Sequence, residues 1–319
     1  MPKRTIAAFP NMVRAALEGK LPDWLEPRWF SNSEEAIAIG SKAEIGWFDM
    51  YDKARMAAAI NNAGQLKWLN SIYAGVDGMP LQTLIDRKVV LTNGAGINAI
   101  TIAEYVVMGM LSIAKGYREV VRAQDRREWL STAPGKVELY GSKALILGYG
   151  AIGKLVEERL KAFNVAVTVV RRSVTGGATG SVLAPEQWRA RLGEFDWVIL
   201  AVPATPETRH MIGAAELAVM KTTAVLLNVA RGTVIDQQAL TEALSAQTIA
   251  AAFLDVTDPE PLPPGHPLWS LPNAHITMHL SGNSQTLFIQ RSVQRFLENL
   301  ARYRAGEALA YQVDLALGY

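Results

Sequence analysis

The sequence predicts an α/β protein built from two doubly wound parallel-sheet domains, and three observations carry that prediction. Short β-branched apolar runs alternate with helical patterns along most of the chain. These runs fall into two sets, separated by one long apolar helical stretch that starts near residue 100. At 319 residues, half of them hydrophobic, the chain can fill two ordinary cores. Continuous apolar strands need cover on both faces, which crossover helices supply in a parallel sheet.

Taken in order, the first third offers strands at 5–9, 44–48, 66–72 and 89–93, with helical stretches such as KARMAAAINNAG between them. The segment from Thr101 to about Arg126 reads as a single helix, apolar on nearly every side in its first half, as suits a helix packed between domains. Six further strands follow at 143–148, 165–170, 196–202, 224–229, 249–256 and 275–280. The last forty residues are helical with no strand after them, and returning to the first domain is their most economical placement. Residues 1–100 with 281–319 are therefore expected to form one, smaller domain, and 101–280 the other.

Composition narrows the function classes. The formal charge is only +2 and the basic residues are scattered, so no nucleic-acid surface is expected. With no cysteine and four histidines, neither a thiolate nor a histidine-rich metal site is expected. The N-terminus has too short an apolar run for a signal segment, and YVVMGMLSIA is roughly half the length that spans a bilayer. The expectation is a cytoplasmic protein that binds no membrane.

KALILGYGAIGKLVEERLKAF (143–163) joins a strand, a G-x-G-x-x-G turn and an amphipathic helix, with another strand following. In that setting, which is the Rossmann arrangement, Gly148 permits the tight turn and Gly150 lets the backbone approach a pyrophosphate. Gly153 packs helix against strand, and the first helical turn, with Ala151 and Ile152, presents N–H groups to the phosphates. A glycine-rich turn without a ligand is the structural alternative. An NAD site usually closes its second strand on Asp or Glu; here TVVRRS places Arg171, Arg172 and Ser173, and the next carboxylate is Glu186. Arginines there favour a 2′-phosphate, so NADPH is expected, with NADH weaker. Two arginines that merely solvate a strand end are the plainer reading.

Ligands of open parallel sheets lie beyond the carboxyl ends of the strands. Those ends carry Val202, Pro203 and Thr208, then Val229 and Arg231, then Asp255 and Glu260, then His279, Ser281 and Gly282. Reducing a 2-keto acid requires a cation on the substrate carboxylate and a proton donor at the carbonyl oxygen. Arg231 suits the first task. His279, with Glu260 beside it to favour the imidazolium, suits the second. Each has a structural alternative: Arg231 or Asp255 as a turn cap, Glu260 as a solvated loop acid, His279 as a strand histidine.

GYGAIG, VPATPETRHMI, LLNVARGTVID, AAFLDVTDPEPLPPGHPLW and TMHLSG resemble, in order and spacing, the D-isomer-specific 2-hydroxyacid dehydrogenases, and the likeness runs from about Tyr73 to the C-terminus. The resemblance implies that residues 1–100 with 281–319 form a smaller, flavodoxin-like substrate-binding domain and 101–280 the dinucleotide-binding domain, with Arg231 as the substrate-binding arginine, Glu260 as the acid partner and His279 as the proton donor. It further implies Asp255 at the nicotinamide carboxamide, and backbone N–H groups of Ala74, Gly75 and Val76 on the substrate carboxylate. With Thr101 at the head of the long helix, the strand-end residues above complete the expected cofactor lining. A homodimer is also implied, with about 120–140 at the interface and Trp129 as a possible anchor or a core residue. Met278 departs from the family, which often has proline before the histidine, and Thr257 stands where an aromatic is common.

The expected activity is NADPH-dependent reduction of glyoxylate or hydroxypyruvate to the (R)-2-hydroxy acid. The same chemistry on a bulkier 2-keto acid such as an aryl pyruvate is the nearest alternative. A dinucleotide-sensing corepressor-like protein is the alternative from another class.

Overall fold

The computed structural model describes residues 4–50, 52–76, 78–171 and 181–317. By contacts the chain divides into two compact units, Met1–Asn98 with Gln285–Tyr319, and Ala99–Ser284.

The first unit holds β1 (Thr5–Pro10), β2 (Leu25–Phe30), β3 (Ile45–Gly46), β4 (Trp68–Asn70) and β5 (Val90–Thr92). All pairs are parallel and the order is β2-β1-β3-β4-β5, which is the flavodoxin-like arrangement. The alternation of runs does not reveal β2, because LEPRWF carries charges and a proline. Pro27 is tolerated because β2 lies at the sheet edge and pairs only with β1. Phe288–Ala305 is the long C-terminal helix of this unit, and its Phe296 is fully buried. That ring meets Phe9 edge-on at 5.3 Å and stacks on Trp68 at 5.0 Å.

The second unit holds β6 (Lys143–Leu147), β7 (Ala166–Val170), β8 (Ser181–Leu183), β9 (Trp197–Leu200), β10 (Val225–Asn228), β11 (Ala251–Leu254) and β12 (Ala274–Ile276). Again every pair is parallel, in the order β12-β11-β10-β9-β6-β7-β8. The order reverses between β6 and β9, the crevice where a doubly wound sheet binds ligand. The strands β6, β9 and β10 are buried almost throughout, which accounts for their unbroken apolar runs.

Two expectations are corrected. The helix expected over 101–126 is two helices, Ala99–Ala114 and Tyr117–Arg126, bent by 67°. Gly116 sits between them in the left-handed region, at φ 62, and a Cβ there would lie 2.8 Å from the Gly135 nitrogen. The strand expected over 275–280 ends at Ile276, because Met278 and His279 both take positive φ, 54 and 57. Among the described residues, no single helix is long and apolar enough to cross a membrane.

Candidate active site

Gly148 has φ 99, and a Cβ on it would stand 2.4 Å from the Ala201 carbonyl oxygen, so the turn after β6 requires glycine on both counts. A Cβ on Gly153 would stand 2.3 Å from the Gly148 carbonyl oxygen, which is how the helix Ala151–Ala162 comes so close to the turn. Gly150 differs: a Cβ there meets nothing within 4 Å, and as N-cap it gives the helix no side-chain cap. The helix start thus combines open space with uncapped backbone N–H groups, and Ala151 is exposed there with Ile152 half-buried. That is a fit for the pyrophosphate of a dinucleotide.

At the end of β7, the half-buried Arg171 guanidinium stands 5.6 Å from the centre of the Tyr149 ring, inside the glycine turn. Lys154 approaches the same ring at 6.0 Å. Tyr149 donates its hydroxyl to buried Glu157, and its phenol is pushed up to about 12, first by burial and then by that carboxylate. Arg172 and Ser173 lie outside the described residues.

Three loops at the β10, β11 and β12 ends hold the polar cluster. Asn228, fully buried at the end of β10, accepts from Ala230 N–H at 3.0 Å and donates to the Arg231 carbonyl at 2.9 Å. A Cβ on Gly232 would stand 2.0 Å from the Thr257 carbonyl oxygen, so glycine lets the Arg231 loop lie against the loop that carries Glu260. Gln237 clasps that second loop: its amide donates to the Asp258 carbonyl at 2.6 Å and accepts from Asp258 N–H at 2.9 Å.

His279 Nδ1 lies 2.8 Å from Glu260 Oε2, and the other Glu260 oxygen accepts from Thr257 N–H at 3.1 Å. The Glu260 bond holds the His279 imidazolium above the ordinary histidine range, overcoming partial burial and the repulsion of Arg231. Burial opposes ionisation of Glu260, but the His279 bond and charge, Thr257 N–H and Arg231 together hold it below the usual carboxylate range. Arg231 donates to the Ala230 carbonyl at 2.8 Å and acts electrostatically on both members of the pair. With Nδ1 turned to the carboxylate, Nε2 is the ring atom left to face a ligand.

Asp255 is buried, and its oxygens take the Thr277 hydroxyl at 2.7 Å, Ser281 N–H at 3.2 Å and the Ser281 hydroxyl. It grips both ends of the turn that contains Met278 and His279. Thr101, buried on the helix Ala99–Ala114, donates to the carbonyls of Ser281 and Ser284, both at 3.0 Å, and half-buried Gly282 lies between them. Thr208 donates to the Pro203 carbonyl at 2.8 Å and closes the turn after β9. Val229 is buried, Val202 half-buried and Pro203 exposed.

In the first unit, Tyr73 to Val76 follow β4. Among the described residues none accepts a hydrogen bond from the N–H groups of Ala74, Gly75 or Val76, whereas the carbonyls of Tyr73 and Ala74 are taken by Gly94 N–H and Asn93. A Cβ on Gly94 would lie 1.9 Å from the Ile72 carbonyl oxygen. Sequence reasoning passed over Asn228, Gly232, Gln237, Thr277 and Gly94. A buried-strand asparagine and the glycine of NVARG were visible signals; Gln237, Thr277 and Gly94 act on neighbours that no local pattern names.

Residues 107–281 match the family model of the D-isomer specific 2-hydroxyacid dehydrogenase, NAD binding domain. A glyoxylate/hydroxypyruvate reductase B of Pectobacterium atrosepticum is 34% identical over 231 residues, 69% of this chain and 71% of that one. The crystal structure of a family protein from Aeromonas salmonicida superposes with a TM-score of 0.86 at 31% identity, covering 98% of this chain and 99% of that one. A family member from Xanthobacter autotrophicus, solved with NADPH and MES, gives 0.79 at 25% identity over 99% and 100% of the two chains. The chain therefore belongs to the D-isomer-specific 2-hydroxyacid dehydrogenase family and is a nicotinamide-dinucleotide-dependent oxidoreductase.

Proposed function

We propose that this enzyme reduces a small 2-keto acid, glyoxylate or hydroxypyruvate, to the (R)-2-hydroxy acid with NADPH. The observation that carries the reading is the His279–Glu260 pair at 2.8 Å with Arg231 acting on both. When bound, the reduced dinucleotide supplies the hydride that adds to C2. His279 Nε2 gives its proton to the keto oxygen, and Glu260 stabilises the imidazolium until then. Arg231 binds the substrate carboxylate and polarises the carbonyl, and the N–H groups of Ala74 to Val76 take up carboxylate oxygens. Asp255 and Ser281 keep the His279 turn in place beside the nicotinamide.

The uncapped helix after Gly150 supports phosphate binding. Arg171, in a tip without a carboxylate before Glu186, supports selection of the 2′-phosphate, with Arg172 and Ser173 assigned the same task. The named Pectobacterium relative supports the two substrates. A homodimer through 120–140 is part of the reading, supported by two exposed aromatics there that a partner would cover, Trp129 at 97% and Tyr140 at 72%. Sedimentation of the intact protein at twice the chain mass is the expected result.

The test is kcat/KM for NADPH and NADH, each with glyoxylate and with hydroxypyruvate. We expect turnover of at least one acid and a preference for NADPH of about tenfold or more, roughly 1.4 kcal/mol. Equal use of the two cofactors would remove Arg171 from selection. No turnover with either acid, but turnover of an aryl pyruvate, would replace the substrate.

A further inference from the structure

Asp49 is a buried carboxylate that the chemistry above does not use. It follows β3 and reaches across to the segment after β4: Oδ1 accepts from the Ser71 hydroxyl at 2.7 Å, and Oδ2 accepts from Ile72 N–H at 2.5 Å and the Trp47 indole at 2.7 Å. The Ser71 oxygen in turn accepts from Tyr73 N–H at 3.2 Å. The chain from Ser71 to Tyr73 is thus tied to Asp49 immediately before Ala74, Gly75 and Val76.

The charge itself calls for an explanation. Burial pushes the Asp49 carboxyl up to about 6, against the pull of Ile72 N–H, Ser71 and Trp47. No cation is among the groups that shift it, and Tyr73, raised by burial and then by the Asp49 charge, is the titratable group facing it. Asparagine would keep the bonds from Ile72 and Trp47 to its oxygen, but its amide cannot accept from the Ser71 hydroxyl, so that bond would have to turn round. The carboxylate accepts all three donors that hold the 71–73 chain, at the cost of a buried anion.

We propose that Asp49 is a positioning residue that holds the 71–73 chain and whose buried negative charge weakens the binding of a carboxylate ligand to the adjacent 74–76 N–H groups. This rests on the proposed role of those N–H groups. It makes substrate affinity depend on the ionisation of a residue that never touches substrate: a 2-keto acid binds more tightly once Asp49 is neutral.

The experiment compares the full-length enzyme with its D49N variant, in the presence of nicotinamide dinucleotide. At about pH 7.5, where Asp49 is ionised, the variant should show a KM for glyoxylate lower by about tenfold, the size of a close like-charge effect. Its KM for the dinucleotide and its kcat should stay within about twofold. At about pH 5, where the wild-type residue is itself protonated, the KM difference should close. A folded variant whose KM is unchanged, raised, or lowered equally at both pH values overturns the proposal, because a purely packing role moves no pH-dependent difference. Oxamate affinity, measured calorimetrically, gives the same comparison without turnover. A pH-dependent difference there supports the role of Asp49 even if glyoxylate is not the substrate, and its absence removes that role while wild-type turnover still judges the function. Should D49N fail to fold, the H279Q variant removes the histidine titration. Its oxamate affinity must then fall as pH rises through about 6, and a flat profile overturns the proposal.

Discussion

His279 is half-exposed and stands 2.8 Å from Glu260, and that bond is the main reason its imidazolium persists above the ordinary histidine range. A raised histidine stabilises the fold fully below its unfolded value near 6.5 and loses that contribution as pH rises through its folded value. Glu260, lowered, contributes above its unfolded value near 4.5 and loses this as pH falls through its folded value. The ion pair therefore acts between those limits, and reduction should fade on the alkaline side as His279 deprotonates. Glu260→Gln should move that fade to lower pH, because His279 loses the partner that keeps it charged. An unmoved pH–rate profile would take Glu260 out of the role. At this scale the sequence makes a chemical case for the pair, since His279 is the neutral-pH acid at the strand ends and Glu260 the loop carboxylate nearest in order. It makes none for Gly94, whose neighbour, the Ile72 carbonyl, is more than twenty residues away in the chain.

A helix or strand boundary is set as much by what packs on it as by its own pattern. Apolar periodicity runs from Ala99 past Lys115 without a proline, so the sequence reads one helix where the structure has two. Gly116 breaks it because Gly135 and Pro134 press on the same side, with a would-be Cβ 2.8 and 2.9 Å from their backbone atoms. Gly116→Ala adds a left-handed alanine to that contact and should destabilise the protein by about 1–3 kcal/mol in chemical denaturation. Near-wild-type stability would mean that the bend relaxes freely. The edge strands β2 and β8 escaped reading for a related reason, being short or interrupted by Pro27 and paired on one side only. Central strands such as β9 and β10, buried on both faces, announce themselves.

For the whole molecule, the fold class was legible because two sets of buried parallel strands write two sets of apolar runs, and the sheet orders agree with it. The first unit is assembled from both ends of the chain, whereas the second is continuous from Ala99 to Ser284. Phe296 lies at the join, in one aromatic cluster with Phe9, Trp47 and Trp68. Phe296→Ala should cost about 3–5 kcal/mol, read from a melt of the intact protein. A loss below about 1 kcal/mol would mean that the cluster closes over the gap. This discontinuity also orders events on the ribosome. β1 to β5 emerge first but stay without the helix that completes their core until all of residues 99–284 have been made. At about 5–20 residues per second that is a delay on the order of ten to forty seconds, during which Trp47 and Trp68 have no Phe296 to meet. The last strand set to leave the ribosome is thus the first that can finish folding, and the opening hundred residues are the stretch a chaperone would need to shield.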